Sequence, residues 1–385
     1  LTTKLHIPRP HQALVHRPRL IARLEEGLQG KLTLVSAPAG YGKTTLLSDW
    51  IHSGRARGPA PLRVAWLSLD ASDNDLTRFL AYLIAALHNA VPEIDEKIGA
   101  ELQAIAGESQ AQPESLLARL VHEIEGATGD ARGASLLVLD DYHVIKDQAV
   151  HQALRFLLEH LPPAARPLGG LHLLVAGRTD PPLPISRLRV QGELTEIRAA
   201  DLRFSPEEAA ALLNDRMDLG LSPDEIAALD ARTEGWIASL TLAAISLRGR
   251  TDKQAFISAF SGSHRYVLDY LVDEVMTQQP SEVQTLLLQS SILGRFCAPL
   301  CDAVCTVCGS EGTASREILR RLEDDNLLLI PLDDERRWFR YHHLFAEFLS
   351  QRLQEQEPGI LPMLHSRASQ WYEAQGATSS AIEHA

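Results

Sequence analysis

The sequence predicts an α/β domain with a five-stranded parallel sheet, followed by a small all-α domain and a winged-helix domain. Short apolar runs alternate with longer segments of helical periodicity up to about residue 200, as expected for parallel strands buried between helices. Beyond that point strand-like runs stop and helix-start signals take over. Close to the end of the chain, two strand-like runs flank a charged turn, which favours a winged helix.

The predicted strands of the first domain are apolar runs of strand length. They are Leu32–Ala37, Arg63–Leu69, Ser135–Asp140, Leu171–Gly177 and Leu194–Ala199. Helical periodicity predicts the intervening helices Thr45–Ser53, Leu76–Ala90, Glu114–Ile124 and Gln148–Leu161, the second of them capped by Asp73 or Asn74. Loops are predicted at 126–133 and 162–170. Right-handed crossovers would place the helices on both faces of the sheet.

Composition limits the class of protein. The chain has 385 residues, 45% of them hydrophobic and 23% charged, which indicates a soluble protein of several domains. No apolar run reaches the roughly 20 residues that span a bilayer, so we expect no membrane partner. The net charge of −13 argues against nucleic-acid binding by bulk electrostatics. Four cysteines and the lack of a signal peptide predict a cytoplasmic location.

A phosphate-binding turn is indicated by Ala37–Thr45, which joins the first predicted strand to the first predicted helix. It matches the pattern G-x-x-x-x-G-K-[ST], except that Ala37 replaces the first glycine. Backbone N–H groups can approach a phosphate at the two glycines, the lysine supplies a cation, and Thr44 can ligate Mg²⁺. The turn therefore predicts a P-loop NTPase domain that binds ATP or ADP with Mg²⁺. The predicted nucleotide contacts here are Pro38, Ala39, Gly40, Tyr41, Gly42, Lys43, Thr44 and Thr45.

Two later strands end in charged residues suited to the same chemistry. Asp140 and Asp141 end the third predicted strand: Asp140 is assigned to the metal and Asp141 to the attacking water. Arg178 follows the fourth predicted strand, which we place between the first and third strands, so that Arg178 would face the γ-phosphate. Lys43, Asp141 and Arg178 are the predicted catalytic residues. The alternatives are a strand-to-turn Asp-Asp and a surface arginine.

Three other features of the sequence each allow two interpretations. Val15 and Arg17 in the basic, proline-containing lead-in either pack beside the nucleotide base or belong to a solvated arm. His342 and His343, after the predicted wing, are structural or contact phosphate. The four cysteines at 297, 301, 305 and 308 have spacings of one helix face, which favours packing over a metal or redox site.

The second half of the chain reads as helical until the wing. Ser205 and Ser222 each precede a proline and have a glutamate three residues later, which predicts capping boxes at two helix starts. A third helix is predicted from Trp236 to Leu247, and the strands of the wing are predicted within 327–332 and 337–341. A helix is predicted from His343 to Leu353, and the tail begins further helical pairs, so we expect the natural protein to continue.

Several stretches together resemble the MalT-like branch of the STAND signal-transduction ATPases, the large ATP-binding LuxR-type transcription regulators. The resemblance extends over nearly the whole chain. The stretches that carry it are Pro38–Thr45, Leu139–His143, Thr233–Trp236, Ser263–Leu271 and Phe339–Phe345. The first two are generic to P-loop proteins, and the last three are far more specific. With this resemblance the predicted domains are 1–200 (nucleotide-binding), 201–255 (small helical), 256–353 (winged helix) and 354–385 (start of a TPR-like superhelix).

The resemblance implies a switch. ADP would be clamped in a closed resting state, and inducer binding to a downstream superhelix with exchange for ATP would open the protein to self-associate. A C-terminal helix-turn-helix, outside this chain, would bind DNA, and the winged helix would act as a lock in which His342 contacts the ADP phosphate. Weak ATP hydrolysis would reset the switch. The competing hypotheses are a dedicated P-loop enzyme such as a kinase, and a DNA-binding winged-helix module.

Overall fold

The computed structural model describes residues 2–10, 14–53, 62–94, 113–128, 135–161, 170–262, 264–306 and 314–385. They form two compact units: Leu1–Ala37 with Tyr41–Leu202, and Pro38–Gly40 with Arg203–Ala385. Most of the loop predicted at 126–133, nearly all of the loop at 162–170, and Cys308 lie outside the described residues.

The first unit contains a parallel sheet of five strands in the order β2-β3-β4-β1-β5. The strands are β1 Leu32–Ser36, β2 Arg63–Ser68, β3 Ser135–Asp140, β4 Leu171–Gly177 and β5 Leu194–Arg198. All five lie within one residue of their predicted bounds. Strand β4 lies between β1 and β3, as predicted, with Ser36 paired to Gly177 and Leu139 to Val175. Every residue of β1, β3 and β4 is buried, because helices cover both faces.

The helices of the first unit follow the predicted alternation. They are α1 Pro18–Gly27, α2 Lys43–His52, α3 Leu76–Ala90, α4 Pro113–Thr128, α5 Gln148–His160, α6 Ile185–Gln191 and α7 Ala199–Leu202. The predicted cap of α3 was wrong: Asp75 is the N-cap and accepts from the N–H of Arg78 at 2.8 Å. Asp73 instead completes the capping box of the short turn Ala71–Asp73, which ends just before α3.

The described residues of the second unit are helical apart from one hairpin and the loops. Its helices are α8 Pro206–Ala210, α9 Pro223–Thr233, α10 Ile237–Leu247, α11 Lys253–Ala259, α12 Arg265–Leu271, α13 Ser281–Ser290, α14 Ala298–Val304, α15 Ala314–Asp324, α16 His343–Gln356, α17 Leu361–Ala374 and α18 Thr378–Glu383. Helices α8 and α12 continue as π-helical turns, Ala211–Arg216 and Val272–Met276. Both predicted capping boxes are present, with Ser205 and Ser222 as the caps.

The predicted wing is an antiparallel hairpin of β6 Leu329–Pro331 and β7 Phe339–Tyr341. Three of the cysteines lie near the hairpin and are buried free thiols: Cys297 is the N-cap of α14, Cys301 lies inside it and Cys305 is its C-cap. The described residues contain no cluster of His, Cys, Asp or Glu that could hold a metal ion. Likewise, none of the helices described here is both long and apolar enough to cross a membrane.

Candidate functional site: a phosphate-binding turn

The predicted phosphate turn leaves β1 at Ser36 and enters α2 at Lys43. Gly42 is the N-cap of α2 in the left-handed conformation (φ 74°), which a glycine adopts without steric cost. The N–H groups of the first turn of α2 therefore project from a helix N-terminus, where anions are favoured. The Lys43 side chain is 8% exposed and its ammonium donates to the carbonyl of Ala37 at 2.8 Å.

Three residues of the turn, Pro38–Gly40, belong to the second compact unit. Within that unit, Trp236 Nε1 donates to the Ala39 carbonyl at 3.1 Å and the N–H of Ala238 donates to the Gly40 carbonyl at 3.0 Å. Gly40 has φ +77°, and a Cβ there would lie 2.5 Å from Cβ of Ala238. Glycine at position 40 is therefore required by packing and by backbone conformation, in addition to the predicted approach of a phosphate.

The two aspartates after β3 differ in environment. Asp140 is 2% exposed and accepts from the Thr44 hydroxyl at 2.9 Å, so the two predicted metal ligands touch. Burial, and then the neighbouring Asp141, raise the pKa of Asp140 to about 6. The Asp141 side chain is half exposed, and its backbone has φ 57°, a strained value for a residue other than glycine.

Two cations, Lys43 and Arg178, lie near each other at the carboxyl ends of β1 and β4. Burial, and then the positive charge of Arg178, lower the pKa of Lys43 to about 8, against the opposing effect of the two aspartates. Arg178, which directly follows the last residue of β4, is therefore close enough to lower the pKa of Lys43 by charge repulsion. Two neighbouring cations disfavour each other's charged form. A polyanion bound near both would favour the charged form of each.

The prediction did not assign a role to His143, which lies in the turn Tyr142–Val144 that follows β3. Its Nδ1 is 3.8 Å from an Asp141 carboxylate oxygen and has no hydrogen-bond partner among the residues that the structure describes. Burial, and then Arg178 and Lys43, lower its pKa to about 4, so the imidazole is neutral at pH 7. The signals in the sequence were its position two residues after Asp141, at the carboxyl end of a predicted strand, and its place in the stretch Leu139–His143.

The other predicted contacts are spread around the turn. Pro38 and Tyr41 are buried, whereas Thr45 is exposed on α2. Val15 and Arg17 are buried in the first unit, and Arg17 is the residue before α1. The lead-in lies against α2 through a His16–Asp49 contact of 2.9 Å. The structure thus brings Lys43, Thr44, Asp140, Asp141 and Arg178 together, and it places the lead-in against the helix that follows the turn.

This arrangement suits a nucleoside polyphosphate bound with Mg²⁺. A helix N-terminus and two cations match the phosphates, and a hydroxyl bonded to a carboxylate supplies hard oxygen ligands of the kind that Mg²⁺ takes. Because Asp140 has a pKa of about 6, it is mostly ionised at neutral pH and free to accept a metal. The half-exposed Asp141 remains accessible to water.

His342 lies in a cluster of its own within the second unit. It is fully buried between the wing and α9, and Nε2–H donates to the Thr233 carbonyl at 3.0 Å. Nδ1 is buried without a hydrogen-bond partner among the described residues. Burial lowers the pKa of His342 to about 4. The Trp236 ring meets the imidazole edge-to-face, with centroids 5.6 Å apart.

The same cluster contains an ion pair between Arg340 and Glu234. Arg340 donates with both terminal nitrogens to the two carboxylate oxygens of Glu234, each at 2.9 Å, and the N–H of His343 donates to Glu234 at 3.1 Å. Burial alone would raise the pKa of Glu234, but these bonds and the positive charges around it bring the pKa down to about 2. The His343 side chain itself is 53% exposed and lies 3.1 Å from Glu347.

Known proteins align with the chain over its whole length. The MalT winged helix domain family matches residues 272–361. The HTH-type transcriptional regulator MalT of Klebsiella pneumoniae is 35% identical over 387 residues, covering all of this chain and 40% of that protein. The serine/threonine-protein kinase PknK of Mycobacterium tuberculosis is 34% identical over 386 residues, covering all of this chain and 33% of that protein. The chain therefore spans a third to two fifths of the length of these relatives.

The fold is also found in solved structures, of which one is an example. The Walker-type ATPase of Pyrococcus abyssi aligns with 91% of this chain and 99% of its own, with a TM-score of 0.55 and 13% sequence identity. At that identity the likeness concerns the fold alone.

Proposed function

We propose, on the premise that the chain is a MalT-like STAND ATPase, that it is the ATP/ADP-dependent switch of a signal-responsive transcription regulator. In this proposal ADP holds a closed resting state, exchange for ATP opens the protein to self-associate, and slow hydrolysis resets it. The observation that carries the proposal is the group Lys43, Thr44, Asp140, Asp141 and Arg178, assembled at the carboxyl ends of parallel strands. That is the edge at which α/β sheets bind ligands.

The residues of this group have distinct roles in the proposal. The N–H groups of the turn and Lys43 bind the β- and γ-phosphates, and Thr44 with Asp140 holds Mg²⁺, which neutralises phosphate charge when bound. Asp141 orients the attacking water and accepts its proton. Arg178 stabilises the charge on the γ-phosphate. His143 is a positioning residue: its neutral ring lies 3.8 Å from the Asp141 carboxylate, and burial, with the charge of Arg178, keeps its pKa low.

Two measurements test the proposed activity. Mass spectrometry of nucleotide released from the purified, denatured chain should identify ADP or ATP, since a switch with a tight resting state retains its ligand. Phosphate release from ATP with Mg²⁺ and no added acceptor should be slow but measurable. A chain that binds neither nucleotide would contradict the proposal.

His342 is proposed to contact the nucleotide phosphates in the resting state. Its tautomer sets a condition: with Nε2–H donating to Thr233, Nδ1 is an acceptor and would repel a phosphate. A favourable contact therefore requires the imidazolium, whose Nδ1–H is a donor. A phosphate near this ring would raise its pKa from about 4, so binding and protonation would be coupled.

The kinase alternative remains because the relative PknK is named a serine/threonine-protein kinase, although this chain covers only a third of it. Transfer of the γ-phosphate to a protein substrate, rather than to water, would favour that reading. The other proposed partners are a second copy of the chain in the active state, and an inducer and promoter DNA that bind through segments other than those described here.

A further inference from the structure

A groove of about 570 Å³ opens in the second unit between helix α15 and the β6–β7 hairpin. Three of its lining residues, Cys297, Leu319 and Phe339, are themselves almost fully buried, with 7% or less of their surface exposed. The partly exposed indole of Trp338 lines the groove as well. The groove therefore has an apolar floor, and its volume lies in the range typical of sites for small organic molecules.

Cations outnumber anions at the rim of this groove. The charged lining residues are Arg316, Arg320, Glu323, Glu335, Arg336 and Arg337. Two of the arginines pair with carboxylates that also line the groove: Arg336 with Glu323 at 2.9 Å and Arg337 with Glu335 at 2.5 Å. Both arginine side chains are about two-thirds exposed, so water competes with the carboxylates for their guanidinium groups.

Arg316 forms no ion pair with any residue that the structure describes, and the Arg320 side chain is 81% exposed, 3.7 Å from Asp324. A fifth cation stands next to the groove, since the guanidinium of Arg295 lies 5.3 Å from the centroid of the Trp338 ring. The rim thus offers positive charge directly above an apolar surface and beside an aromatic ring.

We propose that this arginine-rimmed groove binds a small organic anion with an apolar ring or chain. The apolar body would displace water from the floor at Leu319 and Phe339, while the planar guanidinium groups of Arg316 and Arg337 match the oxygens of a carboxylate, sulfonate or phosphate. The combination selects against fully polar anions, which gain nothing from the floor, and against neutral apolar molecules, which leave the arginines without a counter-ion.

Duplex DNA fits this surface less well, although a helix and a wing are elements that some proteins use to bind it. The same two elements carry acidic residues that a phosphate backbone would meet: Glu317, Asp324, Asp333 and Asp334. A net charge of −13 adds a repulsive field. A buried apolar floor also contributes little to backbone contacts.

The test compares two fluorescent probes with the same aromatic body, using the 385-residue chain. Anilinonaphthalene sulfonate carries a negative charge, and N-phenyl-1-naphthylamine is neutral. The double variant Arg316→Gln/Arg337→Gln should weaken binding of the sulfonate about tenfold, since two partly exposed charge contacts are lost, and should change the neutral probe less than about twofold. Arg265→Gln, which removes an exposed arginine from α12, is the control and should bind both probes like the parent chain.

A second variant tests the groove without changing charge. Ala298→Phe places a ring among the lining residues and should weaken both probes, while circular dichroism and urea unfolding confirm that the fold is retained. Sulfonate binding that is not saturable, or that is equal in the parent and the double variant, would overturn the proposal. Displacement of the sulfonate by a labelled DNA duplex, with loss of duplex binding in the double variant, would also overturn it and would make the groove a nucleic-acid surface.

Discussion

Lys43 and Asp140, the buried ionisable groups at the phosphate turn, belong to the first unit, and the His342 cluster belongs to the second. The charges in these two places are balanced differently. In the first unit, burial lowers the pKa of Lys43, and the charge of Arg178 also disfavours its charged form. Burial also raises the pKa of Asp140. Both groups are thus pushed toward their neutral forms. In the second unit, Glu234 is bound by both nitrogens of Arg340 and is held firmly in its charged form.

The difference separates a binding site from a structural contact. A group whose charged form is disfavoured gains free energy when a ligand of opposite charge arrives, whereas a fully paired group has little to gain. By that criterion the phosphate turn is open to a ligand and the Glu234–Arg340 pair is not. His342 is the exception within the second cluster, because one of its ring nitrogens has a partner and the other has none among the described residues.

The largest expected effect is on hydrolysis. Asp141→Asn keeps the shape of the side chain and removes its basicity, so ATP turnover should fall about a hundred- to ten-thousandfold, while ATP still binds. Phosphate release and equilibrium binding would be measured on the same preparation. Asp269→Asn, an exposed aspartate of α12, is the matched control. Unchanged turnover in Asp141→Asn would mean that Asp141 is not the base.

Lys43→Ala should weaken ATP and ADP binding by about a hundredfold or more, because it removes the cation inside the turn where several charge-assisted bonds converge. Calorimetry with each nucleotide gives the affinity. Lys31→Ala is a suitable control, since Lys31 lies just before β1 and its ammonium is 3.7 Å from Glu193. Equal loss in both variants would point to a general effect of charge and against the assigned phosphate contact.

The sequence predicted the sheet and the turn well because both depend on local signals. Buried parallel strands leave continuous apolar runs, and a phosphate turn requires glycine, lysine and threonine at fixed spacing. His143 could not be assigned because its role depends on a pKa set by Arg178 and Lys43, which are distant in sequence. The same holds for the contact of Trp236 with the Ala39 carbonyl, which joins residues nearly 200 positions apart.

The next prediction concerns the stability of the fold and a buried histidine, His172. His172 in β4 is 1% exposed, with Nδ1–H donating to the Gly30 carbonyl and the Thr33 hydroxyl donating to Nε2, each at 2.9 Å. Burial lowers its pKa to about 4, below the unfolded value of 6.5. The unfolded chain then binds more protons between these two values, so stability is complete above pH 6.5 and falls as the pH drops toward 4.

The loss attributable to His172 is about 2 kcal/mol between pH 7.5 and pH 5. Urea unfolding at both pH values should show that His172→Gln, which can keep one of the two bonds, loses less stability on acidification than the parent chain. An identical loss in the two proteins would place the acid sensitivity in other groups.

The metal assignment predicts a smaller effect. Asp140→Asn keeps an acceptor for the Thr44 hydroxyl but removes the negative charge, so the Mg²⁺ concentration required for half-maximal ATP binding should rise about tenfold. In the parent chain the same requirement should rise as the pH falls through about 6, where Asp140 takes up a proton. If Asp140→Asn needs no more Mg²⁺ than the parent, another residue holds the metal.

The last prediction concerns the proposed contact of His342 with the nucleotide, which tests the difference between the two clusters directly. A ligand favours one conformation only by binding it better, and the same coupling makes that conformation favour the ligand. If protonated His342 donates Nδ1–H to an ADP phosphate in the closed state, losing the bond should speed ADP release about tenfold and shift the chain toward the self-associating form.

His342→Gln can still donate to the Thr233 carbonyl, but its other polar atom is an acceptor, so it should release ADP as fast as His342→Ala while unfolding at a higher urea concentration. His343→Ala removes a half-exposed neighbour and should behave like the parent chain. ADP release rates and size in solution would be measured for all four proteins. Parent-like release from both His342 variants would make His342 a structural residue like His172, and fast release from His343→Ala would place the phosphate contact at His343.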